Sequence, residues 1–356
     1  MNSKLLMRGE RSVKKIRIEN AGLLTTVQDL GRFGFQKYGV SVSGAMDSYS
    51  MQLANMLVGN SPGEAVLECT LAGPAIEFLD ECVFSVAGAD MRPLLGGKRL
   101  PNHGSFKAAK GDVLKLQTAE SGMRAYVSFA GGIAVKPVMG SKSTYLKAGF
   151  GGFEGRKLKK GDCLEIGDSD FEFESCYVPE ADACFCGAKE KIRVVLGPER
   201  EMFSDEGIRT FLESGFELSN QCDRMGYRLD GPAVMHSDGA DILSGGITLG
   251  AVQVPGHGHP IIMMADRQTT GGYSKIANVI TVDIDRLAQM RPGEKIRFEE
   301  VDPVAAQELL KSRQKKLDEI ERGIRQGEMA YGSPKEYNVR LGGKNYEVSV
   351  REAIGE

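Results

Sequence analysis

Histidine is scarce, with four residues in 356. A zinc, copper or iron centre built on imidazole is therefore hard to assemble, and no intrinsic metal is expected. Seven cysteines, an odd number, stand at positions 69, 82, 163, 176, 184, 186 and 222; Cys184-Phe-Cys186 is the one close pair, weak evidence for metal, and none forms a C-x-x-C pair. That spacing excludes zinc ribbons and thioredoxin-like redox motifs and reads as free thiols in a reducing cytosol. No apolar run approaches the ~20 residues of a membrane span. The leader carries Lys4, Arg8, Arg11, Lys14 and Lys15 but only Leu5-Leu6-Met7 as an apolar run, too short for a signal peptide. A cytoplasmic location without a membrane partner is expected. The net charge is -3 and the pI about 6.0, without the basic stripe of a nucleic-acid binder. G-x-x-x-x-G-K-[ST] is absent, which excludes a Walker-type ATP site, and G-x-S-x-G is absent, which removes the nucleophile elbow of an α/β-hydrolase.

What is present points to β structure. The length suits two domains. Glycine is plentiful at 45 residues, and short β-type segments at 16–18, 65–67, 83–87, 113–116, 126–129 and 164–166 are bounded by Gly, Asp, Asn or Pro. One phrase occurs three times: AKGDVLKL at 109–116, KKGDCLEI at 159–166 and RPGEKIRF at 291–298. Each is a Gly-acid turn that delivers the chain into an alternating strand, and the recurrence hints at two β-barrel units with similar closing strands. Helices are predicted at 47–58, with Asp47 as N-cap, and at 204–213. A long one follows Asp302, with Pro303 in its first position and Leu309, Leu310, Leu317, Ile320 and Ile324 in one stripe. The expected organisation is a disordered leader (1–15), domain one (16–185), domain two (191–300), a C-terminal helix (301–330) and a hairpin-like tail (331–356) turning at Gly342-Gly343.

The chemistry concentrates in VPGHGHPIIMMADRQTTGGYSK, residues 254–275. His257 and His259 are spaced like metal ligands, with His236, Asp238 and Asp241 as the nearest further candidates. The ligand set is incomplete, so a loop rim that binds nothing is the plainer alternative. After the apolar residues 261–265 come Asp266 and Arg267, the candidate catalytic pair. Arg267 can hold a carboxylate with two hydrogen bonds, and Asp266 can orient it or accept a proton. Gln268, Thr269 and Thr270 carry neutral donors and acceptors suited to an amide or ureido group, and Gly271-Gly272 lets a ligand approach the backbone. Gln253 and Lys275, at the two ends of the stretch, complete its substrate-binding candidates. The competing reading is a polar turn with one surface ion pair. Two other patches are built alike. One is 25–47, with Arg32 and with Asp47 at a helix start, and the other is 220–232, with Arg224 and Arg228.

TVQDLGRFGFQKYGVSVSGAMD, CDRMGYRLDGP and QVPGHGHPIIMMADRQTTGGYSKIA together closely resemble the KipA, or allophanate hydrolase subunit 2, family. Its members are also named as the C subunit of 5-oxoprolinase or as biotin-dependent carboxyltransferase family proteins. The resemblance spans about residues 16–300. It implies a mainly β fold, two cyclophilin-like β-barrel domains with a C-terminal helix, and a KipI-like partner (the B subunit of 5-oxoprolinase). The A subunit of that enzyme is a further implied partner. The resemblance makes a metal at the histidine pair less expected still. The tail YNVRLGGKNYEVSVRE resembles the hairpin that opens biotinyl carrier domains, but the lysine-bearing motif A-M-K-M is absent, so this chain should not carry biotin.

Three functions follow from the resemblance. The first is a subunit of ATP-dependent 5-oxoprolinase that is inactive alone, with ATP handled elsewhere in the complex. The second is a carboxyltransferase subunit that receives carboxybiotin on a separate carrier. The third is a binding module that antagonises a KipI-like inhibitor of a sensor kinase. The first two want the same small anionic amide or ureido ligand, and no tightly bound cofactor is expected.

Overall fold

The computed structural model describes residues 13–171, 175–184, 191–326 and 335–350. Eleven strands of the first unit form two sheets. In spatial order, Cys163–Ile166, Lys14–Asn20, Ala75–Phe78, Val113–Lys115, Leu94–Leu95 and Lys98–Arg99 make one. Leu24–Gln28, Val66–Thr70, Ser121–Phe129, Cys82–Asp90 and Gly104–Ala108 make the other. Their inner faces share one core that includes Ile16, Ile18, Phe78, Phe84 and Phe129. Lys14 and Lys15, expected in a disordered leader, belong to the first strand, opposite Ile166 and Glu165. Burial of Ile16 and Ile18 fixes that strand. The rest of the expected leader, residues 1–12, lies outside the described residues.

In the second unit seven strands close a barrel: Lys191–Leu196, Lys275–Val279, Ala251–Gln253, Ile261–Met263, Gly226–Asp230, Phe216–Cys222 and Lys295–Glu300. A two-stranded ribbon, Asp241–Gly246 with Thr270–Tyr273, projects from it. The fold is thus mainly β, with the closed ring in the second unit and paired sheets in the first.

The repeated phrase has one geometry in all three copies. Gly111, Gly161 and Gly293 sit at φ 90, 91 and 88, which an L side chain rarely adopts. Each glycine N–H donates at 2.7 Å to the neighbouring strand, at Phe78, Ile18 and Leu218 O respectively, and those three residues donate back to Asp112, Asp162 and Glu294 O. The Gly-acid turn is therefore a docking step that sets the register of the following strand.

Helices α1 (Ser48–Met56), α2 (Glu180–Ala183), α3 (Asp205–Glu213), α4 (Thr281–Gln289) and α5 (Pro303–Arg325) pack around these units. Asp47 caps α1 through Ser50 N, Ser204 caps α3, and Asp302 caps α5 through Val304 and Ala305 N, as their residue types predict. Of the expected α5 stripe, Leu317 and Ile320 are buried with α1, and Ile324 packs against them. Leu310 is exposed. The tail is a hairpin, Lys335–Leu341 with Lys344–Val350, turning at Gly342-Gly343. Cys69, Cys82, Cys163, Cys176 and Cys222 are free thiols, but Cys184 is disulfide-bonded, contrary to expectation.

Polar contacts bolt the two units together. Arg124 of the first donates to Tyr227 OH and Ala288 O of the second. Gln289 Oε1 accepts the N–H groups of Met123 and Arg124, and Gln289 Nε2 donates to Asp47 at 2.7 Å. Asp285 of α4 accepts Ser48 N at 2.7 Å at the start of α1 and pairs with Arg313 of α5 at 2.8 Å. The seam so formed positions the candidate site.

Candidate functional site

At the seam, loops of the first unit meet the turn after strand Ile261–Met263. Ser41 Oγ donates to Ala265 O at 3.4 Å, and Asp266 N donates to Arg224 O at 2.7 Å. The carboxylate of Asp266, expected to orient Arg267, instead accepts from Arg224, Nε at 2.9 Å and Nη2 at 3.2 Å. Arg224 also donates to Glu68 and, at 2.6 Å, to Gly44 O. Burial works against the charge of this guanidinium, yet the two carboxylates compensate it and hold its proton more firmly than usual. Arg224, expected to bind substrate, is a clamp between the units.

Arg267 is the opposite case. It is 7% exposed, and its donors meet two carbonyls at 3.3 Å, Ile247 O from Nε and Met264 O from Nη1. It has no carboxylate partner among the described residues. Burial lowers its pKa to about 10, opposed only by the field of Asp266. A guanidinium desolvated without a paired carboxylate is costly to the fold and has donors free for an anion.

Beside this turn a cavity of about 370 Å³ opens on the barrel, lined in part by Met225, Arg228, Gln253, His257, Gln268 and Tyr273. Gln253 is buried, and the amide of Gln268 approaches Gln253 Oε1 at 3.5 Å. Two amide side chains in one wall suit a ligand that both donates and accepts, such as a lactam or ureido group. The arginine of this wall is Arg228. Arg228, named in the 220–232 patch, is placed outward by the alternating burial of Gly226–Asp230.

The other expected residues lie elsewhere. Asp47, the cap of α1, lines a separate cavity of about 220 Å³ with His103, Asp285 and Gln289. Lys275 is buried and paired with Glu199 at 3.0 Å, so its charge is already met. Thr269 O accepts Ile247 N, and Thr270 stands exposed on the ribbon. Gly271, expected to admit a ligand, instead makes room for the protein itself. A Cβ there would come within 2.5 Å of Ile247 Cδ1 and 2.7 Å of Gln253 Nε2. The His257 and His259 rings meet tilted at 5.3 Å, while His236 turns to Val254 O and the Phe203 ring. Among the described residues no three His, Cys, Asp or Glu side chains converge as a metal set. No helix among them is long and apolar enough to cross a membrane.

The fold and this site define a two-unit β protein with a desolvated arginine and an amide-lined pocket. A family model described as the carboxyltransferase domain, subdomain A and B, matches residues 38–300, and the chain belongs to that family. The C subunit of 5-oxoprolinase from Escherichia coli (strain K12) is 41% identical over 299 residues, 84% of this chain and 94% of that protein. The crystal structure of the Kluyveromyces lactis urea carboxylase is similar with a TM-score of 0.82 at 31% identity, over 90% of this chain and 30% of that one. TTHA0988 is similar at 0.73 and 34%, over 82% of this chain and 56% of that one. This chain therefore spans little more than half of TTHA0988 and under a third of the urea carboxylase. The resemblance read from the three motifs holds.

Proposed function

We propose that this chain is the C subunit of an ATP-dependent 5-oxoprolinase, opening 5-oxoproline to L-glutamate together with two partners, a KipI-like one (the B subunit) and the A subunit. The observation that carries the reading is Arg267, a buried guanidinium without a carboxylate partner among the described residues, next in the chain to Gln268, which lines a pocket with Gln253 and Arg228. The substrate has one carboxylate and one cyclic amide, which match these two features. The relative in Escherichia coli, named as the C subunit of 5-oxoprolinase and covered over 94% of its length, supports it. The chain's own residues bind and orient the substrate, and ATP is handled by the other subunits.

A second reading is a carboxyltransferase subunit that takes CO2 from carboxybiotin on a separate carrier. It is favoured by the match to the urea carboxylase structure over 90% of the chain and by the tail hairpin.

The test is to co-purify the chain with the KipI-like and A subunits and to follow glutamate formation from 5-oxoproline and ATP. Glutamate from the assembled complex, and none from any single subunit, is expected. Biotin-dependent carboxylation of a urea-type acceptor without glutamate would move the assignment to the second reading.

A further inference from the structure

Arg32 is fully enclosed, with 0% exposed. Its Nε donates to Val138 O at 3.1 Å and its Nη2 to Ser143 O at 2.7 Å, while Nη1 has no hydrogen-bond partner. No carboxylate pairs with it among the described residues. Asp29, three positions earlier, accepts instead from Ser141 Oγ at 2.7 Å and from Gly31 N at 2.8 Å. Burial disfavours this charge, and the fields of Asp29 and Asp266 offset it only in part, so a hydrogen-bonded counter-charge would stabilise it. A guanidinium has five N–H donors, and two are engaged, so each terminal nitrogen retains at least one. That is the fork that grips a carboxylate with two parallel hydrogen bonds. Two more buried polar atoms nearby in the chain lack partners among the described residues, Gln28 Oε1 at the end of its strand and Ser43 Oγ. Gln28 reaches the same segment as Arg32 through Thr144 O at 3.2 Å, and Ser43 lies against Gly31.

The cover over Arg32 is loop 145–150. Its ends close on one another, with Tyr145 N donating to Phe150 O at 2.9 Å. Phe150 lays its ring over the guanidinium at 4.8 Å, and Tyr145 meets that ring edge-on at 5.6 Å. A Cβ on Gly151 would come within 2.7 Å of Arg32 Nη2, so glycine lets the loop close down on the cation. The loop tip, Lys147 to Gly149, is exposed, and across the seam it reaches Met225 Sδ from Lys147 Nζ at 3.9 Å. An exposed loop tip of this kind belongs to the parts of a fold that open most readily.

We propose that loop 145–150 is a lid over an anion site at Arg32, and that the occupant is a small carboxylate. The two-pronged donor pair fits a planar carboxylate. It offers too few donors for a phosphate, which wants an array of backbone N–H groups. The site is built on a different arginine from Arg267, although Asp266 acts on both, and it does not depend on which reaction the assembled complex performs.

The test is arginine labelling of the full chain by phenylglyoxal, read residue by residue by mass spectrometry. Arg32 is expected to react slowly in the wild-type protein and on the order of tenfold faster in Phe150→Ala, which removes the ring contact holding the lid. Acetate or 5-oxo-L-proline slows the reaction at Arg32, and acetamide does not. Arg224, buried and ion-paired, is the unreactive control. Arg32 as silent as Arg224 in the wild-type protein, labelling that no carboxylate slows, or protection by inorganic phosphate alone would each overturn the proposal. If Phe150→Ala does not fold, carboxylate protection in the wild-type protein decides. Because no turnover is measured, failure here is distinct from failure of the 5-oxoprolinase assay.

Discussion

Arg224 grips Asp266 with two N–H donors, at 2.9 and 3.2 Å, and the same guanidinium reaches Glu68 in the other unit. The turn that carries Arg267 is therefore anchored to the first unit through its neighbour. Among the described residues Arg267 is left with carbonyl partners only, so Arg224 holds the seam while the charge of Arg267 stays unpaired.

Removing the clamp should be costly. Arg224→Ala leaves Glu68 and Asp266 buried without their cation, and breaking a buried pair in this way costs about 3–5 kcal/mol. Denaturant unfolding should show the loss as a lower midpoint. Arg224→Lys keeps the charge but cannot span both carboxylates and Gly44 O, so it should recover only part of it. A midpoint unmoved by Arg224→Ala would mean that the other contacts, those of Arg124, Gln289 and Asp285 among them, hold the units without it.

Arg267→Ala should act on function and leave the fold nearly intact. Losing one partner of a desolvated charged hydrogen bond costs about 2–5 kcal/mol. Activity of the assembled complex should therefore drop on the order of 30-fold or more, since ~1.4 kcal/mol is tenfold. Arg267→Lys should rescue in part, and His257→Ala with His259→Ala should change little. Steady-state kinetics of the three variants, each checked for folding by circular dichroism, would decide. The reverse pattern would return the site to the histidines.

Much of this architecture is local and therefore legible in the sequence. Asp302-Pro303 starts a helix because both residues suit its first turn, and the Gly-acid phrase forms the same strand entry three times because glycine alone tolerates its φ. The ranking of the arginines is not local. Arg32, Arg224 and Arg267 each stand near an aspartate in the chain, yet the acids that satisfy Arg224 lie 42 and 156 positions away. Asp266, next to Arg267, turns the other way because adjacent residues in a turn point to different sides. Which cation is left unpaired is a property of the assembled seam.

The amide wall makes a different kinetic prediction. Gln253→Ala removes a neutral hydrogen-bonding group, worth about 1–2 kcal/mol, so KM should rise on the order of tenfold with kcat little changed. Gly271→Ala should imitate it from behind, because its Cβ would press on Gln253 Nε2 and Ile247 Cδ1. Measured together, the double variant should be no worse in KM than the sum of the two, and less if both act through the same amide. A fall in kcat with unchanged KM would place Gln253 in the chemistry itself.

Asp47 should set a pH dependence of stability. Burial, and then the negative charge of Asp285, raise its carboxyl from the ordinary 3.8 to about 7, against hydrogen bonds from Gln289 and Ser50. The native state thus keeps a proton that the unfolded chain has released above pH ~4. Between about pH 4 and 7 the native state binds more protons, so this group's contribution is full below pH 4 and is lost as pH rises through 7. Asp47→Asn cannot ionise and still offers an acceptor to Ser50 N, although its amide N–H group meets the donor Nε2 of Gln289, which shifts stability by a constant amount. The slope is therefore the informative quantity. Unfolding free energy plotted against pH should fall less steeply from pH 4 to 7 in Asp47→Asn than in the wild type. Parallel curves would show that Asp47 ionises with an ordinary pKa and that its burial is relieved in solution.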